Sequence, residues 1–599
     1  MNLTLRIQSI AQHTQFFMAG IKLQIILVSV FTITTSQILA QEKSGEEETI
    51  GVQEVTVVKS YSPTLSNVSK ISANPVVEDS LSNSKRNLQY QTISVPVIST
   101  FSPNKATAVK LQQKKKPAPF NTLLSMGAGN QQQLFLDFST SLPITKSQSI
   151  GAILYRDGYE SNIKNTLLSS DANYLLGAID HVVAEKKFYA NSQLAFETLG
   201  NNFYGIYPAE WSSAVLESIN PEIQRDYFKA NTNWQWYDKS LKNLDFLAHI
   251  TADNFNSSEA EFYLNTTLNA NLGNSILDLK IDAHTVHTRF EKIDSNNQPL
   301  DTEFTSAGAT LQWANVKNKL KYRMGVRAAY YVDDPANKNV YYYPAVEIAY
   351  HAKKKQIIPY LKATGNLTLN TYRNFSKQNP FVAPAIVLTP TNEQYKAQMG
   401  FRTGSIAALE FDFNIGYSQF NNYPMFKKSP YIHQENLDGY QWGNSFHIRY
   451  HNVDVLSGTA RLSIALGSNN QLAFHAKYAD YTLEDNATPW NIPSLTAGLE
   501  GNFNIANTIA IHLNTRLIGE RNGAYQEVII GSNTPADQSI EILPMFLQSN
   551  LHINGKLSPH WDLFFKGNFN SAENDAKWMD FPVNQWLAVA GITYKFDMK

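Results

Sequence analysis

"SILDLKIDAHT", residues 275–285, alternates with period two. Leu277, Leu279, Ile281 and Ala283 fall on one face, Asp278, Lys280, Asp282 and His284 on the other, and Ile276 stands out of phase. Successive side chains of a β-strand point to opposite faces, so the segment reads as a strand with one oily and one wet side. The same pattern recurs on either side of it. "NLDFLAHI" sets Leu244, Phe246, Ala248 and Ile250 against Asp245, Leu247 and His249. "IAIHLNTRL" sets Ile509, Ile511, Leu513, Thr515 and Leu517 against Ala510, His512, Asn514 and Arg516. "WDLFFKGNF" sets Trp561, Leu563, Phe565, Gly567 and Phe569 against Asp562, Phe564, Lys566 and Asn568. A soluble sandwich can alternate this way, but it needs no unbroken series of long amphipathic strands. A transmembrane barrel needs both faces, lipid outside and water or a polar plug inside. It must also close, because an open edge would leave backbone groups unpaired in hydrocarbon.

The connections alternate between tight and long. "VAEKK" (Val183–Lys187), "KNK" (Lys317–Lys319), "KKKQ" (Lys353–Gln356), "SNN" (Ser468–Asn470) and "ANT" (Ala506–Thr508) are tight. Between them come Asn202–Pro221, Asn374–Thr391, Lys427–Gln441 and Gly523–Ser539. Short turns at one end and long loops at the other are a barrel pattern. From Asn121 onward the expectation is an all-β, antiparallel transmembrane barrel of about 22 strands, an even number that returns the C-terminus to the periplasmic side. Tyr and Trp near strand ends, as in "NVYYYPAV" and "ANTNWQWYDK", fit interfacial girdles.

Composition excludes other classes. The net charge of −1 supplies no basic excess for nucleic acid. With no cysteine there is no disulfide framework, thiolate zinc site, cysteine nucleophile or acylated N-terminus. "IKLQIILVSVFTITTSQILAQ" combines Lys22, an apolar run from Ile25 to Ile33 and "ILA" before Gln41, so residues 1–40 read as a secretory signal cleaved after Ala40. Met18 offers an alternative start. The apolar run is shorter than the roughly 20 residues of a spanning helix.

Residues 41–120 are rich in Ser, Asn, Lys and Pro and read as an extended periplasmic tail. Within it, "EETIGVQEVTVVKSYSPTL" (Glu47–Leu65) carries the β-branched run Val55, Thr56, Val57, Val58 behind Glu54. Such a segment makes a strand-addition ligand, and Glu54–Ser60 reads equally as an extra strand of the chain's own barrel or as linker. The basic run Lys114–Lys116 just before the first strand reads as a solvated linker or a contact for lipid head groups or an acidic partner. At the other terminus, "QWLAVAGITYKFDMK" places Trp586, Ala588, Ala590, Ile592, Tyr594 and Phe596 on one face of a last strand.

Three stretches carry a family resemblance: Val52–Ser80 of the tail, the tract Val453–Arg521, and the closing strand. Together they resemble the outer-membrane β-barrels of Bacteroidota known as TonB-dependent receptors or receptor-like proteins. The resemblance implies solute transport across the outer membrane. It implies that Glu54, Val55, Thr56, Val57 and Val58 form a TonB-box-like segment docking TonB or another periplasmic protein through residues 52–65. It further implies that Trp586, Tyr594 and Phe596 belong to the closing-strand signal read by the barrel-insertion machinery, although Asp597–Lys599 trail that Phe. The family's folded plug has no counterpart in the pattern of residues 41–120, which lack its Gly-rich and hydrophobic character. Long loops, the tail or a partner would then cap the lumen. The alternative is a non-transport barrel, an anchor or envelope-assembly component that offers its tail to a periplasmic partner.

No chemistry-bearing motif competes. "HTVH" places His284 and His287 on opposite strand faces, so a regular strand cannot bring both to one metal. No phosphate-binding loop, metalloprotease, serine-hydrolase or dinucleotide motif occurs, and no cofactor or enzyme activity is expected. The wet-face residues Asp278, Lys280, Asp282, Arg516 and Lys566 carry both signs, which suits pairing between strands as well as solute contact.

Overall fold

The computed structural model describes residues 120–598 apart from 161–162, 164–165, 292–298, 316–318, 335–336, 353–356, 404–407, 468, 507, 529, 531–535 and 573–576. Glu54–Val58 and the rest of the tail lie outside the described residues.

The strands form a single antiparallel sheet that closes on itself. The first strand, Thr122–Gly129, pairs with the second, Leu134–Pro143, and also with the last, Trp586–Phe596. Every other neighbour follows in chain order, apart from a small two-stranded hairpin, Arg521–Tyr525 with Ser539–Leu543. The sheet holds 23 assigned strands. Asn337–Pro344 and Val346–Tyr350 both pair with Leu320–Asp334 and are one wall strand broken at Ala345, so the barrel has 22 staves. The break follows Pro344, which has no N–H to give to the ladder.

The sequence pattern maps onto inside and outside. On Ser275–Phe290, Ile281 and Ala283 are exposed, while Asp278, Val286, Thr288 and Phe290 are buried. On the neighbouring strands Phe246, Ile250, Phe262, Leu264 and Leu311 are likewise exposed on the outward face. This belt of exposed large apolar side chains is what a lipid-facing barrel presents. Aromatic residues flank it at both ends. Trp234 stacks on Phe188 and Trp236, and Trp561 packs on Tyr594. Trp586, at the opposite end of the closing strand, packs on Phe569. "NVYYYPAV" departs from the girdle expectation. Tyr342 is 72 % exposed on the outside, but Tyr341 and Tyr343 stack on each other inside the lumen. Alternation forces this split, because three consecutive strand residues cannot share a face.

Gly591 sits opposite Gly127 at the closing seam. A Cβ on Gly591 would stand 2.1 Å from the Met126 carbonyl oxygen and 2.5 Å from the Phe564 ring. The bare backbone therefore lets the last strand approach the first while Phe564 fills the lumen beside it.

The strand ends that flank the tight connections of the sequence reading gather at one end of the barrel with Thr122 and Phe596, and those that flank the long loops gather at the other. Three loop boundaries differ from that reading, and the loop read as Lys427–Gln441 runs over 429–445 between the strands Leu409–Lys428 and Phe446–Ala465. The loop read as Asn374–Thr391 begins before the helix Tyr372–Gln378, whose N-cap is Thr371. The loop read as Gly523–Ser539 overlaps the ends of both strands of the small hairpin.

Candidate functional site

The long-loop mouth of the barrel is filled by its own loops. Residues 203–221, 369–390, 429–445 and 571–585 contribute Phe203, Tyr204, Phe381, Val382, Tyr440 and Phe581 to one apolar core with inward residues of the wall. Phe381 stacks on Phe581 at 3.9 Å between ring centroids, and Tyr204 packs edge-on against both. Polar contacts fix the loops to one another. Tyr204 Oη donates to the Pro582 carbonyl at 2.8 Å, and Asn444 Nδ2 donates to the Phe203 carbonyl at 2.6 Å. The Lys428 ammonium pairs with Asp580 and lies over the Tyr207 ring.

One of these loops, 369–390, descends against the wall and is clamped there. Arg225, on the strand Glu222–Trp236, is fully buried. Its guanidinium donates to Tyr372 Oη at 2.9 Å, to the Pro380 carbonyl at 2.7 Å and to the Val382 carbonyl at 2.7 Å. A planar fork with five donors suits this task, since it meets two backbone carbonyls and a phenol oxygen at fixed, separate positions. Tyr372 in turn donates to Asp253 Oδ2 at 2.7 Å. Burial pushes the Tyr372 hydroxyl well above its ordinary pKa, so it stays a neutral donor between Arg225 and Asp253.

Two glutamates on the strand Ser258–Leu272 complete the clamp. Glu259 accepts from the backbone N–H of Tyr372 at 2.6 Å and of Arg373 at 3.0 Å, and from Thr288 Oγ1 at 2.8 Å. These are orphan donors of the helix's first turn, which a carboxylate satisfies. Glu261 takes Arg373 Nη2 at 2.8 Å, His284 Nε2 at 3.0 Å and His249 Nδ1 at 3.2 Å. One turn further along the helix, Lys377 reaches Glu197 at 2.6 Å and lies over the Tyr227 ring. Below the helix a cavity of about 740 Å³ is lined by Lys229, Asp245, His249, Tyr263, Arg373 and Lys377.

His284 and His287 face opposite ways: His284 meets Glu261 in the lumen, and His287 pairs with Asp301 at 2.8 Å on the exposed outside. Of the mixed-sign lumen residues, Asp282 pairs with Arg327 at 2.9 Å and Asp278 comes within 4.0 Å of Arg323. Lys566 lies 3.6 Å over the Phe135 ring. Lys280 and Arg516 have no carboxylate within ion-pair distance among the described residues. Trp586, Tyr594 and Phe596 stand on the outward face of the closing strand, with Tyr594 stacked on Phe596.

The clamp was absent from the sequence reading. Its one legible trace is that Arg225 shares a face with Ile223 and Tyr227, which marks a charge among buried side chains rather than on a wet wall.

The solved structures that this chain resembles include transporters and a receptor. The FrpB iron transporter from Neisseria meningitidis (F3-3 variant) aligns with a TM-score of 0.56 at 9% identity, over 80% of this chain and 82% of that one. The ferripyoverdine receptor of the outer membrane of Pseudomonas aeruginosa aligns with a TM-score of 0.56 at 10% identity, over 80% and 72%. The copper transporter OprC gives 0.52 at 11% identity, over 80% and 82%. The 22-strand barrel of this chain resembles the barrels of TonB-dependent receptors. At these identities the likeness is one of fold. No protein-family model and no curated protein matches the sequence.

Proposed function

We propose that this chain is an outer-membrane barrel of the TonB-dependent receptor kind that admits a solute through a lumen gated by its own loops. The observation that carries the reading is the clamp on loop 369–390. Arg225, Glu259 and Glu261 hold the loop through polar contacts that a conformational change can exchange, beside a cavity that mixes charged side chains with Ile153, Leu176 and Leu247. In this reading residues 1–40 direct secretion, the turn end and the C-terminus face the periplasm, and residues 41–120 form the periplasmic tail. Glu54–Val58 adds as a strand to TonB or another periplasmic protein. The barrel-insertion machinery reads the closing strand with Trp586, Tyr594 and Phe596, and the outward apolar belt meets outer-membrane lipid. No enzymatic step is part of the proposal.

The aromatic seal supports a second reading. Phe203, Phe381 and Phe581 weld separate loops into one apolar core, which suits a permanently shut anchor that presents its tail to a periplasmic partner. Crosslinking in cells separates the two. The chain has no cysteine, so Val57→Cys introduces a unique probe. Transport is expected to give a crosslink to TonB. A crosslink to a different periplasmic protein, with none to TonB, would replace the transporter with the anchor.

A further inference from the structure

The hairpin Arg521–Tyr525 with Ser539–Leu543 stands apart from the barrel sheet. Its outer strand reads Ser-Ile-Glu-Ile-Leu and pairs in regular register with Arg521–Tyr525 alone among the described residues. The other edge of that strand meets no described strand. Leu543 is buried at the foot of the hairpin, whereas Ile540 and Ile542 are 56 % and 64 % exposed on one face. Natural sheets guard such edges with short strands, charged side chains (lysine above all), proline, a bulge or a covering loop, and of these the strand has only its five-residue length and Glu541. Within the strand itself there is no lysine, proline or bulge, and Pro544 comes only after its end.

The surroundings are acidic. Glu520, Glu527, Asp537 and Glu541 are all exposed. None of the four has a Lys or Arg within ion-pair distance among the described residues. Glu541 lies in the hairpin strand itself, and burial first, then Asp580, Glu541 and Glu527, raise the Tyr525 hydroxyl pKa. The basic groups of the hairpin region point elsewhere: Arg521 is buried, with its guanidinium over the Phe546 ring and a hydrogen bond to the Lys577 carbonyl.

We infer that the strand Ser539–Leu543 is a docking edge for an extended peptide segment in which apolar residues alternate with Lys or Arg. Backbone N–H and C=O groups of the peptide would continue the hairpin as a further strand. Its apolar side chains would cover Ile540 and Ile542, and its cations would face Glu541 and the neighbouring carboxylates. The inference is independent of the loop clamp and of the tail.

The test uses the full-length protein in detergent micelles and two fluorescein-labelled peptides, Ac-Lys-Val-Lys-Val-Lys-Val-NH2 and Ac-Glu-Val-Glu-Val-Glu-Val-NH2, read by anisotropy. The basic peptide is expected to bind saturably and the acidic one not to bind. Ile540→Lys with Ile542→Lys, and separately Glu541→Lys, should each weaken the basic peptide by about tenfold or more, while Ile542→Val keeps its affinity. Heat-modifiable gel mobility checks that each variant retains its barrel. Equal binding of the two peptides, or unchanged affinity in the double variant, would overturn the inference. So would loss of the site through self-association of the protein, or binding to detergent alone.

Discussion

Arg225 Nη2 donates to the carbonyl oxygen of Val382 at 2.7 Å, across 157 positions of sequence. The guanidinium is fully buried, and its other two bonds also end on the same loop. A buried cation with its acceptors in place holds the loop, and the same cation removed leaves those acceptors without partners. Arg225→Met is therefore expected to loosen loop 369–390 by about 3–5 kcal/mol while the barrel stays folded. Hydrogen exchange should rise in residues 370–390 and stay low in the strands. Arg225→Lys should behave like the methionine variant, because an ammonium cannot serve the fork. Unchanged exchange in the loop would mean that the apolar core alone holds it.

Glu261 gathers Arg373, His249 and His284 at one point. Glu261→Gln removes the charge that Arg373 faces and is expected to cost about 1.5–3 kcal/mol of clamp stability. Cells carrying it should admit a large antibiotic faster than wild type. Glu259→Gln should act in the same direction, since Glu259 holds the first turn of the helix. Influx at the wild-type level in both variants would remove these glutamates from the gate.

The two faces of one strand should respond in opposite ways. Ile281 lies in the outward belt, and Ile281→Lys is expected to destabilise the barrel by about 2–4 kcal/mol in lipid. Lys280→Gln, one residue away on the lumen face, should change little, because Lys280 is exposed and has no carboxylate partner among the described residues. Denaturant unfolding in lipid vesicles measures both. Equal costs would contradict the assignment of faces.

At the seam, Gly591→Val sets a branched side chain against the Met126 carbonyl and the Phe564 ring. The expected result is a barrel that fails to close, seen as loss of heat-modifiable mobility on gels. A Cβ at Gly177 would meet nothing within 4 Å, and Gly177→Val should assemble normally.

The barrel was legible because its constraint is periodic. Leu277 to Ala283 and Leu563 to Phe565 reveal their faces through alternation alone, and tight turns such as Val183–Lys187 announce the turn end. The clamp was not legible because it joins residues with no shared period. Nothing in "PEIQRDYFKA" says that Arg225 will meet Pro380 and Val382, and nothing around Thr371 marks the loop as inward-folding. Tyr341 and Tyr343 show the same limit. An aromatic near a strand end signals a membrane interface only when its parity points outward, and these two point in.

The most direct measurement is single-channel conductance of the full-length protein in a planar bilayer, wild type against a variant in which residues 372–388 are replaced by a short Gly-Ser linker. If loop 369–390 shuts the lumen, wild type will carry almost no current and the replacement will open a large, steady pore. A wild type that already conducts, or a replacement that stays as closed as wild type, would show that the lumen is not gated by this loop.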